Sequence, residues 1–190
     1  MATGTEDLRG SPGSHAVLFY STRDELAGQV SEFLLEAVRA RGVAVVIATP
    51  AHRASIAAAL AGAGTDVAAG QAAGRYVALD ALETMDRFMV AGWPSAASFW
   101  QVISPIIGQA AEAGAPVHVF GEMVALLWDV GQVNAAIEVE AMWNELAAQY
   151  SFSLLCSYPA DVVRGDRQQD ALAEVCRVHT SVAGAVPGRA

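Results

Sequence analysis

His15–Glu25, HAVLFYSTRDE, is an apolar run of strand length that passes through a polar turn into a long amphipathic helix. In a nucleotide-binding α/β protein this junction carries the phosphate loop. That loop needs glycines, so that backbone N–H groups can approach phosphate, and a lysine to reach the outer phosphates. Here Tyr20-Ser21-Thr22-Arg23-Asp24-Glu25 contains no glycine, and the 11 basic residues of the chain are all arginines. The place of a phosphate loop is kept without its chemistry, so nucleotide hydrolysis is not expected.

Working outward, Asp24–Arg41 places Leu26, Val30, Phe33, Leu34, Ala37 and Val38 at helical spacing, and Gly42 ends that helix. Val43–Thr49, VAVVIAT, is β-branched and continuously apolar, as a strand covered on both faces should be. Pro50 opens a second helix, to about Ala63. The alanine-glycine segment through Gly74 gives propensity little grip. Arg75–Leu79 reads as a strand and Asp80–Val90 as a short helix, and Gly92-Trp93-Pro94 is a break. Ser95 is the N-cap of a helix to Ala113 that Pro105 should kink or restart. Pro116–Gly121 and Ser153–Tyr158 are further strands, with helices over Val133–Tyr150 and Asp170–Val178.

This alternation predicts a three-layer α/β/α domain with a mainly parallel central sheet. Residues 15–180 form the single domain, residues 1–14 a flexible leader and residues 181–190 a frayed tail.

The net charge of -9 argues against a direct hold on nucleic acid or an anionic membrane, since both depend on clustered Lys and Arg. The N-terminus lacks the features of a secretory signal, and Cys156 and Cys176 have no disulfide-scaffold density, which points to the cytoplasm. The uncharged stretch Phe88–Ala111 is interrupted by Gly92, Pro94 and Pro105, against a transmembrane span. No metal is expected, because His15, His52, His118 and His179 are dispersed and no ligand-spaced motif occurs. No cofactor is expected either. Cys156 sits in an apolar strand, where burial would raise its pKa and silence it.

In open parallel sheets, ligands bind outside the carboxyl ends of the strands. That rule nominates Tyr20-Ser21, Thr49, Asp80, Glu122 and Tyr158 as the rim of one crevice. On the helix Val133–Tyr150, Glu140 and Asn144 fall within the apolar arc, one turn apart. A carboxylate there must be hydrogen-bonded, paired or protonated. Either it is a structural tie accepting from His15, His118, an arginine or backbone N–H groups, or it serves a ligand or a proton transfer. Glu122 divides in the same way between a site role and a helix N-cap or solvated turn. His15 and His118 read as satisfied core histidines. The aromatic residues Phe88, Trp93, Phe99, Trp100, Trp128 and Trp143 read as core, or as an apolar cavity under a lid hinged at Gly92.

HAVLFYSTRDEL, FGEMVALLWDVG, EAMWNEL and LLCSYP, in that order over His15–Pro159, resemble the MEDS domain, a sensory module named for regulators of methanogens and methylotrophs. The resemblance implies a fold related to RecA/KaiC-type ATPases that has lost the phosphate-binding motif and senses small molecules. It carries over His15, Tyr20 and Glu25, then Glu122, Met123 and Trp128, then Glu140, Trp143 and Asn144, then Cys156 and Tyr158. Such domains are often joined to DNA-binding, histidine-kinase or anti-sigma modules. With no room for an output domain at either end, this chain is expected to signal through a separate partner of one of these kinds. A homodimer is left open. The function expected is therefore a non-enzymatic sensor of a small, partly apolar molecule. The rival is a hydrolase or transferase using Glu122 or Glu140 as acid or base.

Overall fold

Continuously apolar, β-branched runs form strands that can be buried on both faces, and such strands need helices on each side to cover them. The structure is a computed structural model describing residues 13–112, 114–161 and 169–184. β1 (His15–Tyr20) leads through Ser21-Thr22 into α1 (Arg23–Arg39), and β2 (Val43–Ala48) into α2 (Pro50–Gly62). α3 (Val67–Ala72), β3 (Tyr76–Asp80) and α4 (Ala81–Asp86) follow, then a hairpin of β4 (Met89–Val90) and β5 (Trp93–Pro94). Next come α5 (Ala96–Ala111), β6 (Val117–Gly121), α6 (Met123–Asp129) and α7 (Val133–Ala147). β7 (Ser153–Pro159), α8 (Gln169–Val178) and β8 (Ser181–Gly184) complete the described chain.

One 6-stranded sheet has the order β3-β2-β6-β7-β1-β8, and every pairing in it is parallel. The carboxyl ends of the strands therefore share one edge. Leu26, Val30, Phe33 and Leu34 of α1, with Ile56 and Leu60 of α2, cover one face through Leu18, Val46, Phe120 and Leu155. The opposite face, including Val17, Phe19, Val45, Val119 and Leu154, is covered by Phe99, Ile103, Leu127, Val139, Trp143 and Leu146, with Leu172 and Val175 of α8. The three-layer α/β/α expectation holds. Gly42 lets the α1–β2 turn press against the chain before β6, where a Cβ would lie 2.0 Å from the Pro116 carbonyl oxygen.

Several elements differ from the sequence reading. The helix expected over Asp80–Val90 stops at Asp86, because Met89 to Pro94 folds back as the β4–β5 hairpin. Its tip places Ala91 at φ 51° and Gly92 at φ 79°. A tight hairpin turn wants φ > 0 at both central positions, usually from Asn-Gly or Asp-Gly, and Ala-Gly hides that signal. Pro105 does not restart α5, which runs unbroken with Val102, Ile103, Ile107 and Ala110 buried on either side of the proline. Ser181–Gly184, expected in the tail, is a strand paired with β1. Gly184 takes φ 81°, and a Cβ there would lie 1.9 Å from the Phe19 carbonyl oxygen, so the edge closes only on glycine. The expected leader up to residue 12 and the tail from residue 185 lie outside the described residues.

Ser95 caps α5 as expected, accepting from the Ser98 N–H at 3.3 Å. Among the described residues no helix is long and apolar enough to cross a membrane.

Candidate functional site

The carboxyl ends of the strands share one edge, where Thr49 and Glu122 of neighbouring strands bond to one another. Glu122 follows β6 at the N-cap position of α6, yet its carboxylate turns away from that helix. Oε1 accepts the Thr49 N–H at 2.6 Å and Oε2 bonds His52 Nδ1 at 2.6 Å. The Glu122 N–H in turn donates to the Ile47 carbonyl at 3.1 Å. This nearly buried carboxylate thus ties the β2–α2 junction to the β6–α6 junction. The His52 side chain is 19% exposed, which makes it the solvent-facing side of the pair. The half-buried Tyr20 ring stands edge-on to it at 6.2 Å. Burial first, then the charges of Glu122, Asp161 and Asp129, push the Tyr20 phenol up to about 12, so it stays a hydrogen-bond donor at neutral pH.

The flanking groups have local work. Thr22 caps α1 by accepting the Glu25 N–H at 3.1 Å, while the Glu25 carboxylate accepts the Ser21 N–H at 2.8 Å. These two bonds form a variant of the capping box, in which the carboxylate reaches one residue before the N-cap, and they hold the β1–α1 turn. Asp80 caps α4 through the N–H groups of Leu82 and Glu83, at 3.0 and 3.2 Å, and pairs with Arg53 at 3.0 Å.

A second polar cluster lies inside the domain, on the α7 side of the sheet. Glu140 is 0% exposed. Tyr158 O–H donates to its Oε1 at 2.8 Å and Cys156 S–H to its Oε2 at 3.2 Å. His15 Nε2 and His179 Nε2 stand 3.2 and 3.4 Å from Oε2. Burial works to raise the Glu140 pKa, but the charge of His179 first, then the close approach of the His15 and His179 imidazoles, outweigh it and keep the group a carboxylate. Burial lowers the His179 pKa while the Glu140 charge raises it, with a net rise. Burial, then Glu140, drives the Cys156 thiol and the Tyr158 phenol well above their ordinary values. Cys156 is accordingly a donor, not a nucleophile, in this state.

The MEDS family model, MEthanogen/methylotroph, DcmR Sensory domain, matches residues 14–180. The chain belongs to the MEDS family. Among solved structures, a KaiC-like protein from the hyperthermophilic archaeon Pyrococcus horikoshii OT3 is similar at 13% identity with a TM-score of 0.51. The similarity covers 82% of this chain and 69% of that one, and it shows a shared RecA/KaiC-like fold. No curated protein matches in sequence.

This MEDS domain divides the residues nominated from sequence into two groups. Tyr20, Ser21, Glu25, Thr49, Asp80 and Glu122 stand at the strand-end edge. His15, Glu140, Asn144 and Tyr158 gather in the interior, so the Tyr158 side chain does not join the rim that its place in the strand suggested. Trp128 packs edge-on to Tyr158 at 5.3 Å, and Trp143 edge-on to Phe99 at 5.3 Å. Both indoles are buried, as the core reading of the aromatics has it. Trp93, at 49% exposed, is the exception and sits on the hairpin. Glu140 is met by His15 as one of the expected ties, whereas His118 instead bonds the Phe33 carbonyl at 2.7 Å.

His52 and His179 escaped the sequence reading as site members. His52 lies one turn after the strand-end residue Thr49, which is a usable signal. His179 has none, because its partners come from other elements.

A cavity of about 480 Å³ opens at the opposite, amino-terminal edge of the sheet, lined by Glu36, Pro116, His118, Phe152 and their neighbours. It lies at the other end of the strands from the Glu122 tie.

Proposed function

We propose that this MEDS domain is a cytoplasmic, non-enzymatic sensor that takes a small, partly apolar molecule at the strand-end crevice and signals through a separate protein partner. The observation that carries the reading is the Thr49–Glu122–His52 tie. One buried carboxylate joins two strand–helix junctions, and its histidine partner is reachable from solvent beside a tyrosine ring. A guest that hydrogen-bonds His52 and lies on Tyr20 would compete with the tie and change how α2 and α6 are held. Those helices are the natural route to a kinase, anti-sigma factor or transcription regulator.

The test is a thermal-shift and native mass spectrometry screen of small alcohols, amines, halogenated hydrocarbons and carboxylic acids. A retained, unaltered molecule whose stabilisation is lost in His52→Ala and Glu122→Gln supports the reading. Stabilisation unchanged in both variants sinks it.

The 2.6 Å His52–Glu122 contact also supports a second reading, because a carboxylate that orients an imidazole is the arrangement of a general acid–base pair. Conversion of the retained molecule by wild type but not by His52→Ala would establish that reading over the sensor. Glu140, with no solvent access, is a weaker acid–base candidate than Glu122.

A further inference from the structure

The interior cluster holds four donor atoms of metal-ligating type. His15 Nε2, Glu140 Oε2, Cys156 Sγ and His179 Nε2 all lie within 4.8 Å of one another, and all four residues are buried. His15 Nε2 is 3.3 Å from Cys156 Sγ and 3.2 Å from Glu140 Oε2, Sγ is 3.2 Å from Oε2, and His179 Nε2 is 3.4 Å from Oε2. In a tetrahedral zinc site, bonds of about 2.0–2.1 Å to nitrogen and oxygen and about 2.3 Å to sulfur give donor–donor edges of about 3.3–3.6 Å. Four of the six edges are thus 3.2–3.4 Å, close to that figure, and the remaining two lie within 4.8 Å.

The outer hydrogen bonds set the tautomers. Asn144 Nδ2 donates to the Val178 carbonyl at 3.2 Å, which turns Oδ1 toward His15 Nδ1 at 2.9 Å and assigns the proton to Nδ1. His179 Nδ1 likewise donates to the Val175 carbonyl at 2.6 Å. Both Nε2 atoms then face the carboxylate oxygen, the position from which a deprotonated ring nitrogen ligates a cation. His179 Nε2 has no hydrogen-bond partner although its side chain is 0% exposed. One added proton would bridge only two of these atoms, whereas a cation at their centre answers all four. Imidazoles anchored through Nδ1–H to carbonyl oxygens are the usual support of metal-bound histidine, and Tyr158 O–H steadies Glu140 through the other carboxylate oxygen at 2.8 Å.

We propose that His15, Glu140, Cys156 and His179 form a closed tetrahedral site for one divalent transition-metal ion of the zinc class. A carboxylate and a thiolate with two neutral imidazoles neutralise a 2+ charge, as a buried site requires. The mixed nitrogen, sulfur and oxygen set excludes calcium and magnesium, which take oxygen ligands. On binding, the Cys156 thiol proton and any proton on a ligating Nε2 leave to solvent as the metal–sulfur and metal–nitrogen bonds form, with no change of oxidation state. His179 lies between α8 and β8, so the ion fastens this carboxyl-terminal segment to β1, β7 and α7. This site is separate from the strand-end crevice and stands whether or not that crevice binds a guest.

The experiment is metal analysis of the full chain purified with zinc, followed by Co2+ titration of the stripped protein. Expected are one equivalent of zinc and a Co2+ complex with tetrahedral visible bands and a thiolate charge-transfer band. That band is kept in Cys176→Ser and lost in Cys156→Ser. Asn144→Ala, which removes only the outer support of His15, weakens binding by about 10–100-fold. Should a ligand variant fail to fold, the wild-type and Cys176→Ser spectra still decide the matter. Absence of zinc and of Co2+ bands in wild type overturns the proposal, as does a thiolate band that vanishes in Cys176→Ser or survives in Cys156→Ser.

Discussion

His15, the first residue of the first strand, stands 3.2 Å from Glu140, deep in the helix that precedes the last central strand. The contact closes the fold on itself. Thr180 reinforces it from the other side, its N–H donating to the His15 carbonyl at 2.6 Å and its hydroxyl accepting the His15 N–H at 2.9 Å. Glu140 therefore serves as the shared acceptor for groups from β1, β7 and the α8–β8 turn.

Replacing Glu140 by Ala leaves those groups without their acceptor in a dry interior. Metal-free Glu140→Ala should lose about 3–5 kcal/mol. Glu140→Gln should lose less, because its carbonyl keeps the Tyr158 bond. Urea denaturation at matched m-values measures both, and an Ala variant within about 1 kcal/mol of wild type would show that the cluster does not hold the fold.

His118 sets a pH dependence. It is buried, donates to the Phe33 carbonyl and stacks on the Phe33 ring at 4.6 Å. Burial lowers its pKa below the ordinary 6.5, more than the Phe33 hydrogen bond and the Glu36 charge restore. The unfolded chain thus takes up a proton near pH 6.5 that the folded chain accepts only at lower pH. Its contribution is complete above the unfolded value and is lost as pH falls through the folded one. His118→Phe should flatten the decline in stability below pH 6.5 relative to wild type, and parallel curves would refute the assignment.

The hairpin carries removable strain. Ala91 at φ 51° occupies a region that costs a residue with a Cβ about 1–2 kcal/mol. Ala91→Gly or Ala91→Asn should stabilise by about 0.5–1 kcal/mol, read as a rise in Tm. A fall in both variants would contradict the left-handed turn.

Gly184→Ala should detach the edge strand while leaving the central sheet folded. The added methyl group would meet the Phe19 carbonyl, and among the described residues β8 has no neighbour beyond it in the sheet. Hydrogen exchange should speed up across residues 181–184 with far-UV dichroism nearly unchanged. Unaltered protection there would disprove the close approach.

The central strands were legible because their signal is local. VAVVIAT and PVHVFG need no partner to reveal that they are extended and covered on both faces. Helical periodicity likewise put Glu140 on a buried arc, and topology put Glu122 at the strand-end edge. The β4–β5 hairpin was not legible, since Ala91 departs from the residue its turn prefers. Ser181–Gly184 was not legible either, since a short edge strand is stabilised by pairing with β1 more than by its own composition.

By itself the sequence already implies a layered parallel α/β domain, a turn without phosphate-loop chemistry and a buried carboxylate in need of partners. Those features rest on periodicity and on the cost of burying charge, which act over a few residues. Which groups meet that carboxylate was settled by packing. His15, Cys156 and His179 are brought to Glu140 by the β1–β7 register and by α8 docking on α7, and His52 is brought to Glu122 by neighbouring parallel strands. Such meetings depend on contacts between elements remote in the chain, and spacing along a sequence does not encode distance across a core.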